Sequence, residues 1–320
     1  MSQSNRGVVL ITGASGFLGS YIAEACQTLE ISILGIDRNP PKDLTKWERF
    51  LVDRCEAASL DCLLRDFEVT TVFHLAGGAS VPQSVQAPYR DFASSVPGTV
   101  KLLSEIIRYR PSAHVIFVSS AAIYGNPVNL PIAEVAEVAP ISPYGIHKAM
   151  SEYALQQYAH LYRLRVSILR VFSVFGPGLR KQLFWDLARL VSEATACGEK
   201  RVLLQGTGCE SRDFIFASDV AKAALHIGTS QVSAGFEIFN IGSGCETEIS
   251  EAASKFLAHF SPDMEVAFDG EIRSGVPRNW CADVTKLTES GFRRGTSFEE
   301  GIRLLASWLK KEVGPNSRNP

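Results

Sequence analysis

Five short apolar runs, each followed by a stretch of helical character, set the strongest limit on how this 320-residue chain can fold. The runs are VVLIT, ISILGID, TVFHLA, HVIFVSS and VSILRV. Each is continuously apolar rather than alternating, which predicts strands buried on both faces, the habit of a parallel sheet covered by helices on either side. The expected class is α/β, a doubly wound parallel sheet. Such sheets take ligands at the carboxyl ends of their strands. Here those ends run into small or polar residues: Gly13, Asp37, Ala76, Ser119 with Ser120, and Ser173.

After about Gly176 the rhythm changes. QLFWDLARLVSEATACG predicts a helix, RVLLQG a short strand, and RDFIFASDVAKAALHIG a strand followed by a capped helix. The expected division places 1–175, with roughly 214–242, in the sheet domain, and 176–213 with 243–320 in a smaller, interwoven C-terminal α/β domain. The tail GPNSRNP is expected to fray.

A formal charge of −2 with no basic block gives no electrostatic footprint for nucleic acid. The amino-terminal apolar run stops at Gly13, too short for a signal peptide, and no later run approaches the length of a membrane span. The expected setting is the cytoplasm, with no membrane partner. Seven scattered cysteines without a C-x-x-C pair support neither a disulfide framework nor a zinc cluster. His74 and His147 lack companions spaced for coordination, so no metal is expected and both read as packing or tuning residues.

The segment ITGASGFLGSYIAEA follows the first strand and opens a helix, with glycines at 13, 16 and 19. Glycine permits the tight turn, the approach of backbone to a pyrophosphate, and close packing of helix on strand, while the helix N-terminus offers free amides. Asp37 ends the second strand 18 residues after Gly19, where a carboxylate can bind an adenosine ribose and repel a 2′-phosphate. That favours NAD over NADP, although Arg38 beside it leaves a phosphate contact open. Asp53, after RFLV, is a candidate second contact to the adenine.

In SPYGIHKAMSEYA, Tyr144 and Lys148 stand four residues apart and share one helix face. A phenol with a pKa of about 10 is a poor base at neutral pH, and a neighbouring ammonium is expected to lower it. The upstream strand ends in FVSSAAIYG, so a serine hydroxyl can join them. Together these groups form a device for taking a proton from an alcohol while hydride leaves its carbon.

TGASGFLG, HLAG, SSAAIYG, SPYGIHK, RVFSVFGPG, GTGCESRDFIF and FNIGSG occur in the order and spacing of the extended short-chain dehydrogenase/reductases. From about Val8 to Trp308 the chain resembles their NAD-dependent epimerase/dehydratase family. The resemblance implies a Rossmann-type sheet that binds NAD and a smaller domain that grips a nucleoside diphosphate sugar. It assigns proton transfer to Ser120 and Tyr144, with Lys148 holding the nicotinamide ribose. Gly13, Gly16, Phe17, Leu18 and Gly19 would line the pyrophosphate and Asp37 the ribose, with Arg38 beside it a further cofactor contact. Asp53 and Arg54 would flank the adenine, Leu75, Ala76 and Gly77 would back the cofactor, and Val171 and Phe172 would lie near the nicotinamide. Arg212 and Arg273 match diphosphate-binding arginines, though each also reads as a surface salt bridge. Ser80, Ser120, Ala121 and Ser173 would face the sugar. The resemblance further implies a homodimer built on a helix bundle that includes the Tyr144 helix.

The chain departs from the family pattern at several points. Ser173, Ser94 with Ser95, and Val276 replace an asparagine, another asparagine and an aspartate, and KQLFW from Lys181 is unusual for its stretch. Members that eliminate water carry an Asp-Glu pair after the active hydroxyl, where this chain has Ala121 and Ala122. The expected activity is NAD-dependent 4-epimerisation of a UDP-hexose or UDP-N-acetylhexosamine through a transient 4-keto sugar. The alternatives are an NAD(P)H-dependent 4-ketosugar reductase, a sugar-nucleotide dehydratase and a catalytically silent NAD-binding protein.

Overall fold

Residues 7–54, 59–230, 235–271 and 277–313 are described in a computed structural model. The tail 314–320, Cys55, Arg273 and Val276 lie outside the described residues. The first half runs β1 (Val8–Thr12), α1 (Phe17–Thr28), β2 (Ile33–Asp37), β3 (Arg49–Val52), α2 (Ser59–Asp66), β4 (Val69–His74), α3 (Val81–Gln86), α4 (Pro88–Tyr109), β5 (His114–Ser120), α5 (Pro143–Tyr162) and β6 (Arg165–Val171). The second runs β7 (Ser173–Phe175), α6 (Gln182–Ala196), β8 (Arg201–Leu204), β9 (Ser211–Phe216), α7 (Ala217–Thr229), β10 (Gly235–Ile241), β11 (Glu246–Glu248), α8 (Ile249–Phe260), β12 (Glu265–Phe268), α9 (Thr285–Glu289) and α10 (Phe298–Val313).

Seven strands form one parallel sheet in the order β10-β6-β5-β4-β1-β2-β3. All five strands expected from the apolar runs are in it. Period-two geometry sends Val9 and Ile11 to one face, against Ile22 and Ala23 of α1 and Val220 and Ala224 of α7. Leu10 and Leu34 go to the other, against Leu63 of α2, Leu103 of α4 and Leu155 of α5. The chain therefore forms the doubly wound α/β sheet that the sequence implies. Strand order reverses between β1 and β4, and a crevice opens there at the carboxyl ends.

Beyond the sheet lie a three-stranded unit, β11-β9-β7, and a pair, β12-β8. Helices α6, α8 and α10 enclose a phenylalanine-rich core with them, in which Phe175 meets Phe184, Phe214, Phe216 and Phe298 at centroid distances of 5.5–6.1 Å. The capped helix expected after RDFIF differs in one respect: α7 has no side-chain cap. Asp219 instead accepts from Gly295 N and Thr296 N, at 3.1 and 2.9 Å, and so tethers a later loop. Among the described residues, no helix is long and apolar enough to cross a membrane, and Cys26, Cys62, Cys197, Cys209, Cys245 and Cys281 are free.

Helix α5 begins where its sequence dictates. Ser142 Oγ accepts from Gly145 N at 3.2 Å, Pro143 takes the first turn, and Arg163 ends the helix in a left-handed conformation at φ 55°. Its inner face carries Glu152, which is buried and bound by Arg170 of β6, with Nη2 to Oε2 at 2.8 Å. Ser119 of β5 donates to the same carboxylate. Arg170 Nη1 also donates to Tyr124 Oη at 2.9 Å and Glu134 O at 2.8 Å, and Tyr124 Oη donates to Asn240 Oδ1 of β10 at 2.7 Å. Helix α5 is thereby fastened to three neighbouring strands. Replacing the cation in Arg170→Met leaves the Glu152 carboxylate buried and unpaired, and is expected to lower stability by about 3–5 kcal/mol in chemical denaturation. A loss below about 1 kcal/mol would show the pair to be dispensable.

Candidate active site

The crevice is a cleft of about 970 Å³ lined from both halves of the molecule. Its floor starts at the glycine turn. Gly13 has φ +70°, and a Cβ there would lie 2.8 Å from Ala76 N. A Cβ on Gly19 would lie 2.3 Å from Gly13 O, so α1 can seat against the turn only with glycine at 19. Gly16 caps α1 without a side-chain bond, which leaves the first-turn amides of Phe17 and Leu18 facing the cleft. This is a cradle that fits a pyrophosphate.

Asp37 lines the cleft at the end of β2, its carboxylate accepting from Ser15 N and Asn39 N, each at 3.1 Å. Asp53 N donates to Asp37 O at 2.8 Å, which sets the two acids side by side. Hydrogen bonds from the Ser59 hydroxyl and Arg54 N hold the Asp53 carboxyl below its ordinary value. Arg38 and Arg54 line the same end. Leu75, Ala76 and Gly77 form the rear wall, positioned by β4. There His74 is fully buried, with Nδ1 2.7 Å from Thr12 Oγ1 and Nε2 3.0 Å from Thr99 Oγ1. Burial, with the Lys148 charge nearby, pushes its pKa down to about 3, so the ring is neutral.

Ser120, Tyr144 and Lys148 meet at the end of β5. Tyr144 lies in the first turn of α5 and its backbone N donates to Ser84 Oγ at 3.0 Å. Lys148 Nζ donates to Val118 O at 2.8 Å and stands 4.7 Å from the Phe117 ring centre and 6.0 Å from that of Tyr144. Burial brings the Lys148 pKa down to about 8, against the opposing pull of Asp91 and Glu152. The expectation of a lowered Tyr144 pKa is corrected for this form of the protein. Burial raises it and the Asp91 charge adds to the rise, while the hydrogen bond with Ser120 opposes both. At this partly buried position, desolvation of the phenolate outweighs a neighbouring cation 6.0 Å from the ring centre. Asp91, in the first turn of α4, is buried and 2.6 Å from His147 Nδ1. This pair pins α5 to α4, so His147 packs between the two helices.

The opposite wall carries Ser173, Lys181, Trp185, Arg212 and Trp280, with Ser80 beside the rear loop. The Arg212 guanidinium lies 5.4 Å from the Trp280 ring centre, and its Nη1 donates to Ser211 O and Arg278 O at 2.7 and 3.0 Å. Burial lowers its pKa to about 10. Arg212 makes no ion pair among the described residues, which separates it from an ordinary surface salt bridge. Val171 and Phe172 lie along the floor. Ala121 does not reach the cleft: it is fully buried in the 3₁₀ turn after Ser120, against Ile123 and Trp280, and it is Ala122 that faces the space. Lys181 and Trp185 belong to the KQLFW stretch marked as unusual. Trp280 carried no signal, because only folding brings it to Arg212.

The sequence model described as the NAD dependent epimerase/dehydratase family matches residues 9–242. A UDP-glucose 4-epimerase of Mycolicibacterium smegmatis is 32% identical over 314 residues, covering 95% of this chain and 98% of that protein. A UDP-glucuronate 4-epimerase of Thermodesulfobacterium geofontis is 27% identical over 328 residues, covering 96% and 97%. The solved structure of MoeE5 in complex with UDP-glucuronic acid and NAD superposes with a TM-score of 0.85 at 28% identity, covering 96% of this chain and all of that one.

The Lys148 amino group is expected to lose its proton at about pH 8, which NMR of ¹⁵N-labelled lysine can follow. Asp91→Asn removes a charge that holds the ammonium on, so the titration should move to lower pH. A Lys148 signal that titrates near the ordinary value of about 10.4 would contradict the burial seen here.

Proposed function

The chain belongs to the NAD dependent epimerase/dehydratase family, and from that premise we propose that it inverts carbon 4 of a UDP-linked hexose. The observation that carries the reading is the meeting of Ser120, Tyr144 and Lys148 on the floor of a cleft whose far wall offers Arg212. The glycine cradle and the Asp37 carboxylate fit NAD. When bound, NAD supplies the oxidised ring that takes up and returns the carbon 4 hydride, and a positive charge that favours the phenolate.

Tyr144 Oη receives the proton of the carbon 4 hydroxyl as the hydride leaves. The Ser120 hydroxyl hydrogen-bonds the same oxygen and shares the proton. Lys148, charged below about pH 8, keeps an ammonium beside the phenol and offers donors to the cofactor ribose. Arg212, stacked on Trp280, suits the substrate diphosphate, because its forked donors match phosphate oxygens. A sugar anchored there can turn its 4-keto face before hydride and proton return. The reaction has no net redox change. Ala121 and Ala122 supply neither the acid nor the base that dehydration needs, which supports epimerisation over water loss.

We further propose that the protein works as a homodimer through α5. Ile146, Met150 and Tyr153 recur on its outer face and are 45%, 43% and 66% exposed, an apolar stripe that a second copy would cover.

Tyr144→Phe should reduce turnover of UDP-glucose or its relatives by about a hundredfold or more while UDP binding stays near normal; undiminished turnover would falsify the assignment. Light scattering should give the mass of two chains, and Tyr153→Glu should shift it towards one. A wild-type mass of a single 34.9 kDa chain at micromolar concentration removes the dimer.

A further inference from the structure

Lys181 occupies the N-cap of α6 on the far wall of the cleft, in extended backbone before Gln182, whose φ is +70°. Its Nζ reaches across the opening and donates to Ala79 O, on the loop that follows β4. An ammonium has three donors, and this bond uses one. No carboxylate pairs with it among the described residues, whereas the adjacent Arg180 is bound to Glu312, with Nη2 to Oε2 at 2.6 Å. Of the acids that line the cleft, Asp37 and Asp53 are at the dinucleotide end. Asp186 is on α6 itself, and burial raises its pKa, with the Arg189 charge opposing.

The ammonium belongs to the reaction corner. Its charge is felt at Lys148, whose proton it helps to displace, and Ala79 adjoins Ser80 on the same loop. The diphosphate has its own cation in Arg212, stacked on Trp280. A hexose whose carbon 4 hydroxyl meets Tyr144 carries its carbon 6 substituent one ring atom away, on carbon 5. Opposite this corner Ser173 presents a short hydroxyl from β7. Burial lowers the Lys181 pKa, and a partly dehydrated cation without a counter-ion gains most from an arriving anion.

We propose that Lys181 selects a sugar bearing a carboxylate at carbon 6, so that the substrate is a UDP-hexuronate rather than a neutral UDP-hexose. This rests on the 4-epimerase reading for the pose of the ring, and on the cleft geometry for the charge. Lys181 exchanges the Ala79 carbonyl for the carboxylate when the sugar enters. It releases that carboxylate again as the ring turns.

The test compares UDP, UDP-glucose and UDP-glucuronate on the NAD-loaded wild type and on Lys181→Met, by calorimetric binding and by turnover. The expected result is tighter binding of UDP-glucuronate than of UDP-glucose by the wild type. Lys181→Met should weaken UDP-glucuronate by about tenfold to a hundredfold, the scale of a charged hydrogen bond, and leave UDP and UDP-glucose nearly unchanged. Lys181→Arg, which keeps the charge, should retain much of the preference. Equal binding of the two sugars by the wild type overturns the proposal, and so does an equal loss of UDP alone, which would place Lys181 on the diphosphate. A Lys181-dependent preference without turnover of either sugar upholds the recognition and sinks the epimerase reading instead.

Discussion

The ion pair between Glu152 and Arg170 is the contact on which the working parts depend. Both side chains are buried, and neither charge is tolerable there without the other. Glu152 stands one turn beyond Lys148 on α5, so the pair fixes how deeply that helix sits and how far its ammonium projects under β5. Through Tyr124 and Asn240 the same contact reaches β10, the outermost strand on that side. Helix α5 is thus registered against the carboxyl ends of the sheet rather than merely packed on it. Ser120 and Tyr144, which arrive from separate elements, depend on that registration for their meeting.

Lys148, Lys181 and Arg212 are cations that burial has made less willing to hold their protons. All three face one cleft and none forms an ion pair among the described residues. The cleft therefore presents three partly dehydrated positive charges, an arrangement that favours anionic ligands. Burial likewise favours the protonated form of Tyr144.

The sheet was legible because residues buried on two faces must be apolar without interruption, as VVLIT and HVIFVSS are. The edge strands were less so. β3 (Arg49–Val52) has exposed ends and β10 begins at an exposed Gly235, so neither advertises itself by pattern. The glycine turn, Asp37 and the Tyr144–Lys148 spacing were readable because local geometry demands those residue types at those intervals. Three features needed three-dimensional context. The sign of the Tyr144 shift is decided by desolvation, the role of Asp219 by a loop some 76 residues away, and the value of Trp280 by its stacking with Arg212. Ala121 was placed one residue off the cleft surface because a 3₁₀ turn changes which side chain looks inward.

The buried His74 gives the rear wall a polarity. Thr99 spends its hydroxyl proton on Ser95 O at 3.0 Å, so its oxygen can only accept from His74 Nε2. A neutral imidazole with its proton on Nε2 offers a lone pair at Nδ1, and Thr12 must donate there. The remaining lone pairs of Thr12 then receive Ala76 N at 3.2 Å. Every link runs in one sense, from the Ala76 amide through strand, ring and helix to a carbonyl of α4. The loop behind the cofactor site is held by a one-way relay, and no member of it can turn round without turning all the others.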